Sequence, residues 1–156
     1  MNDSVKEIWS FIEGTNAMRV PLLDALTDVD LAFNPGGLNM TLGGLLREMG
    51  EVEYTYIQSL KTFNQDWSYH NTEPGMEKSV AKLKAWYQAL DDDFKATVEK
   101  LSDADLKKTV QRGFELPTKM QLDVYLQALL IFFGKASIFL KAMNKPLPKQ
   151  IADWIW

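Results

Sequence analysis

Residues 118–144 read TKMQLDVYLQALLIFFGKASIFLKAMN, the most apolar stretch of the chain and the one that decides its fold. Apolar side chains recur there at alternating intervals of four and three residues: Leu122, Leu126, Leu129, Phe133, Ala136, Leu140 and Met143. This spacing places them on one face of a helix and matches the packing seam of a helix bundle. Thr118 and Gln121 fit a capping box at its start, and Asn144 and Pro146 fit its end.

Three other long segments show the same helical periodicity. The first opens with Ser4 and Glu7 in capping-box positions, and Pro21 is predicted to kink or break it. The second is predicted from about Thr41 to Phe63, and the third from about Met76 to Leu101. Four amphipathic helices predict an all-α fold, a four-helix bundle.

The predicted connections are polar or rich in turn residues. Residues 34–37, Asn-Pro-Gly-Gly, are typical of a turn, and residues 64–75 form a polar loop. Residues 102–105 fit the cap of a short helical turn. Residues 107–117 are the one plausible extended piece, too short to build a sheet alone. The apolar tail, residues 151–156, is predicted to fold back on the bundle.

The composition fits a soluble globular protein with one domain over residues 1–156. Apolar residues make up 46% of the chain and charged residues 24%, and the formal net charge is −4. Because no run of Lys and Arg stands out, nucleic acid is not an expected partner. No cysteine is present, which excludes disulfides, thiolate catalysis and cysteine-bound zinc.

Neither an export signal nor a membrane span is predicted. The first residues lack a basic region followed by a long apolar run, and Lys135 and Lys141 interrupt the longest apolar stretch. A cytoplasmic location without a membrane partner is therefore expected.

His70 is the one histidine, and it lies in the polar loop before the third predicted helix. We expect it at the surface or anchoring that loop, since alone it cannot build a histidine-rich metal site. The sequence lacks the Glu-x-x-His motifs of di-iron bundles, a phosphate-binding glycine loop and a Gly-x-Ser-x-Gly nucleophile elbow. These residue patterns therefore indicate no particular reaction.

Three carboxylates lie in the middle of the second predicted helix. Glu51 and Glu53 are expected to be solvated or paired. Glu48 flanks the apolar seam and is expected to point partly inward. It is either a rim carboxylate paired with a Lys or Arg, or a buried acid able to act as general acid or base.

Aromatic residues make up 12% of the chain, and most are expected in the core. Trp67, Tyr69 and Trp86 lie near the loop before the third helix, where they could line a groove or simply cap the end of the bundle. Tyr125, on the last long helix, is a further candidate for lining a cleft.

Two segments resemble the DinB/YfiT-like superfamily. Residues 33–60, FNPGGLNMTLGGLLREMGEVEYTYIQSL, are similar to the family's second helix and the loop before it. There the family has a proline-containing loop, a Ser or Thr cap, a Leu-rich turn, a histidine, and an acidic residue five positions on. Residues 125–148, YLQALLIFFGKASIFLKAMNKPLP, are similar to its last helix, where a His-x-x-x-His pair precedes a Gly-Gln step. Glu53 stands at the acidic position, and Gly134 and Lys135 stand at the Gly-Gln step.

The resemblance implies a four-helix bundle with long crossover connections, frequently a homodimer. Family members with a complete histidine triad bind a divalent metal such as zinc or nickel, and some act as thiol-dependent transferases or isomerases. In this sequence the three histidine positions hold Glu48, Ala128 and Phe132. One carboxylate cannot supply the three or four protein ligands of such a site, so the metal-dependent activity is not expected here.

Three functions stay open from the sequence. The first is a metal-free bundle protein, with no cofactor expected, that binds a small molecule in its cleft or scaffolds an assembly. The second is an enzyme, either dependent on zinc or nickel or assisted by Glu48, that acts as a thiol-dependent transferase or hydrolase. The third is a homodimeric interaction module, with the first helix or the Trp-rich tail at the interface.

Overall fold

The computed structural model describes residues 1–155 and is mostly helical. Over these residues the chain forms seven α-helices, one β-hairpin and two 3₁₀ turns, at Asp30–Ala32 and Met76–Lys78. The helices and strands are α1 (Asp3–Ala17), α2 (Arg19–Asp24), α3 (Leu42–Thr62), α4 (Val80–Lys100), α5 (Asp103–Leu106), β1 (Thr109–Gln111), β2 (Glu115–Pro117), α6 (Thr118–Ala142) and α7 (Lys149–Ile155).

The four long helices α1, α3, α4 and α6 pack around one core, which confirms the predicted all-α bundle. Helix α6 packs against α1 and α3, and α3 packs against α4. Phe94 of α4 lies at the centre, with its ring centroid 5.3 Å from that of Trp9 and 4.9 Å from that of Tyr125. The predicted seam of α6 is buried at Leu122, Leu129, Phe133, Ala136 and Leu140.

The first predicted helix is broken in two, as Pro21 requires. Proline lacks an amide hydrogen, and its ring crowds the carbonyl four residues earlier, here that of Ala17. Helix α1 ends at Ala17 and α2 begins at Arg19, so the predicted break is confirmed. The predicted cap is wrong, because Asn2 caps α1 by accepting a hydrogen bond from the Ser4 amide at 2.9 Å.

Helix α3 begins and ends where the sequence predicts. Thr41 caps its start by accepting a hydrogen bond from the Gly44 amide at 3.1 Å. Phe63 ends it in the left-handed conformation, at φ 57°. Helix α4 starts later than predicted, because Met76–Lys78 forms a separate 3₁₀ turn and Ser79 caps the helix.

The start of α6 corrects the predicted capping box. The Thr118 hydroxyl donates to the Lys108 carbonyl at 2.9 Å, and the buried Gln121 amide donates to Ser59 at 2.7 Å. Both side chains thus bond to distant segments instead of capping their own helix. At the other end, Asn144 adopts the left-handed conformation that closes the helix, at φ 56°.

The long connection between α4 and α6 contains the predicted extended piece. Strands β1 and β2 pair as an antiparallel hairpin, and a bridge from Gln111 to Asn64 ties this hairpin to the end of α3. The predicted cap of α5 is confirmed, and Ser102 and Asp105 form it as a capping box. The connection leads from α4 to a helix that packs chiefly on α1 and α3, as in a bundle with crossover connections.

Helix α7 comprises most of the apolar tail, and Ile151 is buried against the core, whereas Trp156 lies outside the described residues. Helix α6 is long and apolar enough to cross a membrane by length and composition. The core helix of a soluble bundle meets the same test, and 44% of the apolar window of α6 is buried in the fold. One such helix is weak evidence for a membrane protein.

Candidate functional site

Helix α3 presents its three central carboxylates to different sides. At about 100° of rotation per residue, Glu48 and Glu53 lie roughly 140° apart around the helix. Glu53 faces the interior beside α1, α2 and α4, while Glu48 and Glu51 line a cleft on another face. The two environments differ in burial and in the partners that each carboxylate finds.

Glu53 belongs to a buried ion cluster formed by Asn16, Arg19, Glu53 and Asp91. The Glu53 carboxylate is 0% exposed and accepts a hydrogen bond from the Arg19 guanidinium, which is 2% exposed. The second arm of Arg19 lies 2.5 Å from Asp91 Oδ1. The Asn16 side-chain amide donates to Asp91 at 2.7 Å and to Glu53 at 3.3 Å. Glu53 is therefore paired, one of the two states expected, and it is not solvated.

Two carboxylates share one guanidinium in the buried ion cluster, so one added proton would neutralise its net charge. Burial raises the pKa of Glu53 from 4.5 to about 7, with Arg19 opposing the rise. Burial also raises the pKa of Asp91, again against the attraction of Arg19. For Arg19, burial favours loss of the proton, but the charges of Glu53 and Asp91 and the hydrogen bond to Glu53 act together against it, and the guanidinium pKa lies above its ordinary value.

Two buried tyrosines enclose the buried ion cluster. The Arg19 guanidinium lies over the Tyr87 ring, 4.5 Å from its centroid, in a cation–π contact. The Tyr125 hydroxyl donates to Asn16 Oδ1 at 3.0 Å. Burial raises the pKa of both tyrosine hydroxyls, so they stay neutral near pH 7. This enclosed network joins α1, α2, α3, α4 and α6 and is suited to holding the bundle together.

The cleft on the other face of α3 has a volume of about 290 Å³. Its walls come from α3, from Met40 in the loop before it, and from the connection of residues 63–79, which precedes α4. The charged and aromatic side chains on these walls are Arg47, Glu48, Glu51, Trp67, Tyr69 and His70. This size lies near the lower end of small-molecule pockets, which hold roughly 300–1,000 Å³.

Glu51 is held in the wall of the cleft chiefly through its Oε1. Its Oε1 accepts a hydrogen bond from the backbone N–H of Asn71 at 2.9 Å and lies 3.4 Å from Arg47 Nε. Its Oε2 lies 3.6 Å from Nδ1 of His70, whose side chain is 75% exposed. His70 thus sits at the surface and contacts α3, as expected for a residue that anchors the loop. Arg47 is also shared with Glu77, at 3.2 Å.

Glu48 differs from the other carboxylates of α3. It is partly buried, and its Oε2 has no hydrogen-bond partner among the described residues. The same side chain borders a second hollow of about 320 Å³, whose lining includes Leu38, Lys135, Ile138 and Phe139. A buried oxygen without a donor costs about 1–3 kcal/mol. A ligand that donates a hydrogen bond to Glu48 would remove this cost.

Trp67 and Tyr69 line the cleft, whereas two other aromatic side chains expected there lie elsewhere. Trp86 packs against Gly50, between α4 and α3. Tyr125 is buried in the core beside the ion cluster. Both positions follow from helix packing, since a ring facing a glycine or the bundle centre fills space that would otherwise be empty.

A chain of buried hydrogen bonds supports the wall of the cleft. Gln121 of α6 donates to Ser59 at 2.7 Å and to Gln65 at 2.5 Å. Gln65 in turn donates to the hydroxyl of Thr55, which lines the cleft, at 2.8 Å. Because Gln65 precedes Trp67 by two residues, this network holds the start of the connection, and with it Trp67, against α3 and α6.

Residues 12–131 match a family model described as the DinB superfamily. The chain belongs to the DinB superfamily. Its fold is similar to the crystal structure of YjoA, a DinB-like protein from Bacillus subtilis, with a TM-score of 0.69 and 15% sequence identity. That match covers 94% of this chain and 96% of YjoA. No curated protein sequence matches this chain significantly.

In this DinB-superfamily chain, the three positions that the resemblance assigns to histidines do not fit a zinc or nickel site. Phe132 is buried in the core and Ala128 is partly buried, and neither side chain carries an atom that binds a metal. Across residues 1–155, no group of three or more His, Asp or Glu side chains is placed to hold a metal ion. Of the three side chains, Glu48 alone has atoms that can bind a metal ion.

Sequence patterns did not identify the partners of Glu53. The sequence did hint that Arg19 is buried, because this charged residue lies between Met18 and the apolar residues around Pro21. Asn16 had no signal, because a polar residue near a helix end is typical of solvent exposure. Asp91 was concealed as the first of three consecutive aspartates, a pattern that favours an exposed face.

Proposed function

We propose that this DinB-superfamily protein binds a small organic molecule in the cleft beside α3, without the metal-dependent activity of members that have a complete histidine triad. The observation that carries the proposal is Glu48, a cleft-lining carboxylate whose Oε2 is buried and lacks a donor among the described residues. Around it the cleft is concave, partly aromatic and close to small-molecule size.

The metal-free part of the proposal rests on the chemistry of the donor atoms. Zinc and nickel sites need several nitrogen, oxygen or sulfur ligands at one point. Glu48 offers one carboxylate, while Ala128 and Phe132 offer none. His70 lies on the cleft wall, but its Nδ1 faces Glu51. We therefore assign no catalytic step to a metal in this protein.

Metal content tests this part of the proposal. The protein is purified without chelators, and zinc and nickel are measured by mass spectrometry of the elements. We expect far less than one ion per chain, with no difference between the wild type and Glu48→Ala. One tightly held ion per chain that is lost in Glu48→Ala would contradict the proposal.

Ligand binding is tested by thermal-shift screening against small amines, acids and neutral ring compounds. We expect compounds that stabilise the wild type and lose this effect in Trp67→Ala, because Trp67 is 49% exposed at the cleft. Trp154→Ala is the matched control, since Trp154 is similarly exposed but lies on α7. Equal stabilisation of both variants, or no stabilising compound at all, would contradict binding in this cleft.

A homodimeric interaction module is the second candidate function, favoured by exposed apolar side chains on α6 and beside it. Ile131 and Ile138 are exposed and lie two turns apart on one face of α6. Leu38 and Met40, in the loop before α3, are exposed as well. Light scattering after size exclusion should show a dimer that Ile138→Glu dissociates. A monomer at high protein concentration would contradict this candidate.

A further inference from the structure

We propose that the cleft selects a flat ring compound that carries a protonated amine on a short arm, with the amine donating to Glu48 Oε2 and the ring lying against Trp67 and Tyr69. This inference rests on the proposed function, because it names the ligand class for the same cleft. It is based on which charged side chains of the cleft already have partners and which do not.

The charges of the cleft leave one carboxylate over. Arg47 lies 3.4 Å from Glu51 and 3.2 Å from Glu77, so two carboxylates already face its positive charge, although its buried Nε–H makes no hydrogen bond within residues 1–155. Glu51 also accepts from the Asn71 backbone N–H. Glu48 Oε2 is the buried carboxylate oxygen of this cleft that finds no donor within residues 1–155. A cationic donor therefore complements the site better than an anion, which would face two carboxylates.

A protonated amine suits Glu48 better than a neutral donor. A carboxylate forms a charge-assisted hydrogen bond with either donor, but an ammonium group adds the attraction between two opposite charges. In a partly buried position, water screens the attraction between the charges less than at the open surface. A neutral alcohol of the same shape would supply a donor without this charge attraction.

The aromatic walls provide the surface for a ring. Tyr69 is fixed by stacking on Tyr54, with 3.8 Å between ring centroids, and Trp67 packs edge-on against Tyr56 at 5.9 Å. The half-exposed face of Trp67 and the apolar side chain of Val52 border the same space as Glu48. A volume of about 290 Å³ admits one or two fused rings with a short arm.

The experiment compares three indole compounds that differ in one group: tryptamine, the neutral tryptophol and the anionic indole-3-propionate. Affinities are measured by calorimetry at pH 7 and low salt on the whole chain. We expect tryptamine to bind about tenfold more tightly than tryptophol, and indole-3-propionate to bind most weakly. In Glu48→Gln the tenfold preference should disappear while tryptophol binding is kept. Glu99→Gln, an exposed acid at the end of α4, should keep the wild-type preference.

The outcomes separate this inference from the proposed function. Equal binding of the three compounds, with Trp67→Ala weakening them all, would overturn the amine preference and leave the small-molecule cleft standing. A preference for tryptamine that persists in Glu48→Gln would also overturn the inference. If none of the three indole compounds binds wild type at millimolar concentration, but compounds from the thermal-shift screen stabilise it through Trp67, the inference fails and the proposed function holds. If nothing binds in the cleft, both fail.

Discussion

The two ends of the central segment of α3 show how one helix can hold carboxylates in opposite states. Glu53 is fully buried and is enclosed by Arg19, Asn16 and, through the guanidinium, Asp91. Glu48, five residues earlier, borders the cleft and has a buried oxygen without a donor among the described residues. The first arrangement stabilises the bundle, and the second leaves capacity for a ligand.

Burial alone does not identify a functional acid in α3. Glu53 is the more deeply buried of the two and has the strongly shifted pKa, yet its bonding capacity is used within the fold. A shifted pKa is a common mark of functional sites, but structural ion networks produce it as well. The absence of a partner at Glu48, together with a cleft, indicates binding more directly.

The largest effect is expected when Arg19 is replaced by Met. This change leaves the buried Glu53 and the partly buried Asp91 without their shared cation, so unfolding free energy should fall by about 3–5 kcal/mol. Urea denaturation at pH 7 measures the loss. Lys95→Met is the control, since Lys95 pairs with Glu13 on the surface and should change stability little. A loss for Arg19→Met as small as that of the control would contradict a structural role for the cluster.

The pH dependence of stability should report the titration of Glu53. Its pKa rises from 4.5 to about 7 on folding, so folded protein holds a proton that unfolded protein has released within this range. The stability from this proton is present below pH 4.5 and is lost as pH rises through 7. Relative to Glu53→Gln, wild type should lose up to about 3 kcal/mol between pH 4.5 and 8.

Denaturant unfolding of both proteins at several pH values checks this prediction. The difference between wild type and Glu53→Gln removes the contribution of titrating groups outside the buried ion cluster, because both proteins share them. A difference that shifts in favour of wild type as pH rises would mean that Arg19 lowers the pKa of Glu53 instead.

A smaller effect is expected from Gly43→Ala, which tests how the cleft is assembled. A Cβ at Gly43 would lie 1.9 Å from the carbonyl oxygen of Glu77, whose side chain partners Arg47 in the cleft wall. Moving that backbone should cost about 1–3 kcal/mol and weaken ligand binding.

Gly14→Ala is the matched control for this substitution. Gly14 also lies in a helix, and no atom of the described residues would contact a Cβ there within 4 Å. The unfolding free energy of Gly14→Ala should rise by about 0.5–1 kcal/mol, because alanine has a higher helix propensity than glycine. Thermal unfolding of the two variants measures the contrast, and a loss shared by both would argue against the predicted clash.

The smallest effect on stability is expected for Glu48→Gln. Because Glu48 Oε2 has no donor to lose, unfolding free energy should change by less than about 0.5 kcal/mol, in either direction. Urea denaturation at pH 7 measures it beside Arg19→Met. A loss above about 1 kcal/mol would show that Glu48 has a stabilising partner, and the contrast with Glu53 would fail.

The fold could be predicted because its determinants are local. The alternating four-three spacing of residues such as Leu122, Leu129 and Phe133 predicted which face of α6 lies in the core. Thr41 predicted the start of α3, because its side chain caps the helix by bonding to a backbone amide only three positions later. The prediction of a helix cap was wrong where the capping side chain instead bonds to a residue far away in the sequence. Gln121 suited a capping box by spacing, but its amide bonds to Ser59, 62 positions away.

The candidate site could be predicted only in part, since its partners come from distant segments. Helical spacing suggested that Glu48 points partly inward, and the structure places it on the cleft wall. The pairing of Glu53 with Arg19 spans 34 positions and that of Arg19 with Asp91 spans 72, so no local pattern could reveal them. Trp86 and Tyr125 were expected near a cleft, but long-range packing placed both against other helices.

A crystal structure of the protein grown with tryptamine tests the contrast between the two carboxylates most directly. We predict the amine nitrogen within about 3 Å of Glu48 Oε2, the indole ring against Trp67, and Glu53 still bonded to Arg19. A structure in which the cleft is empty and Glu48 points to solvent or binds a Lys or Arg would contradict this account, in which Glu48 is the carboxylate of α3 available to a ligand.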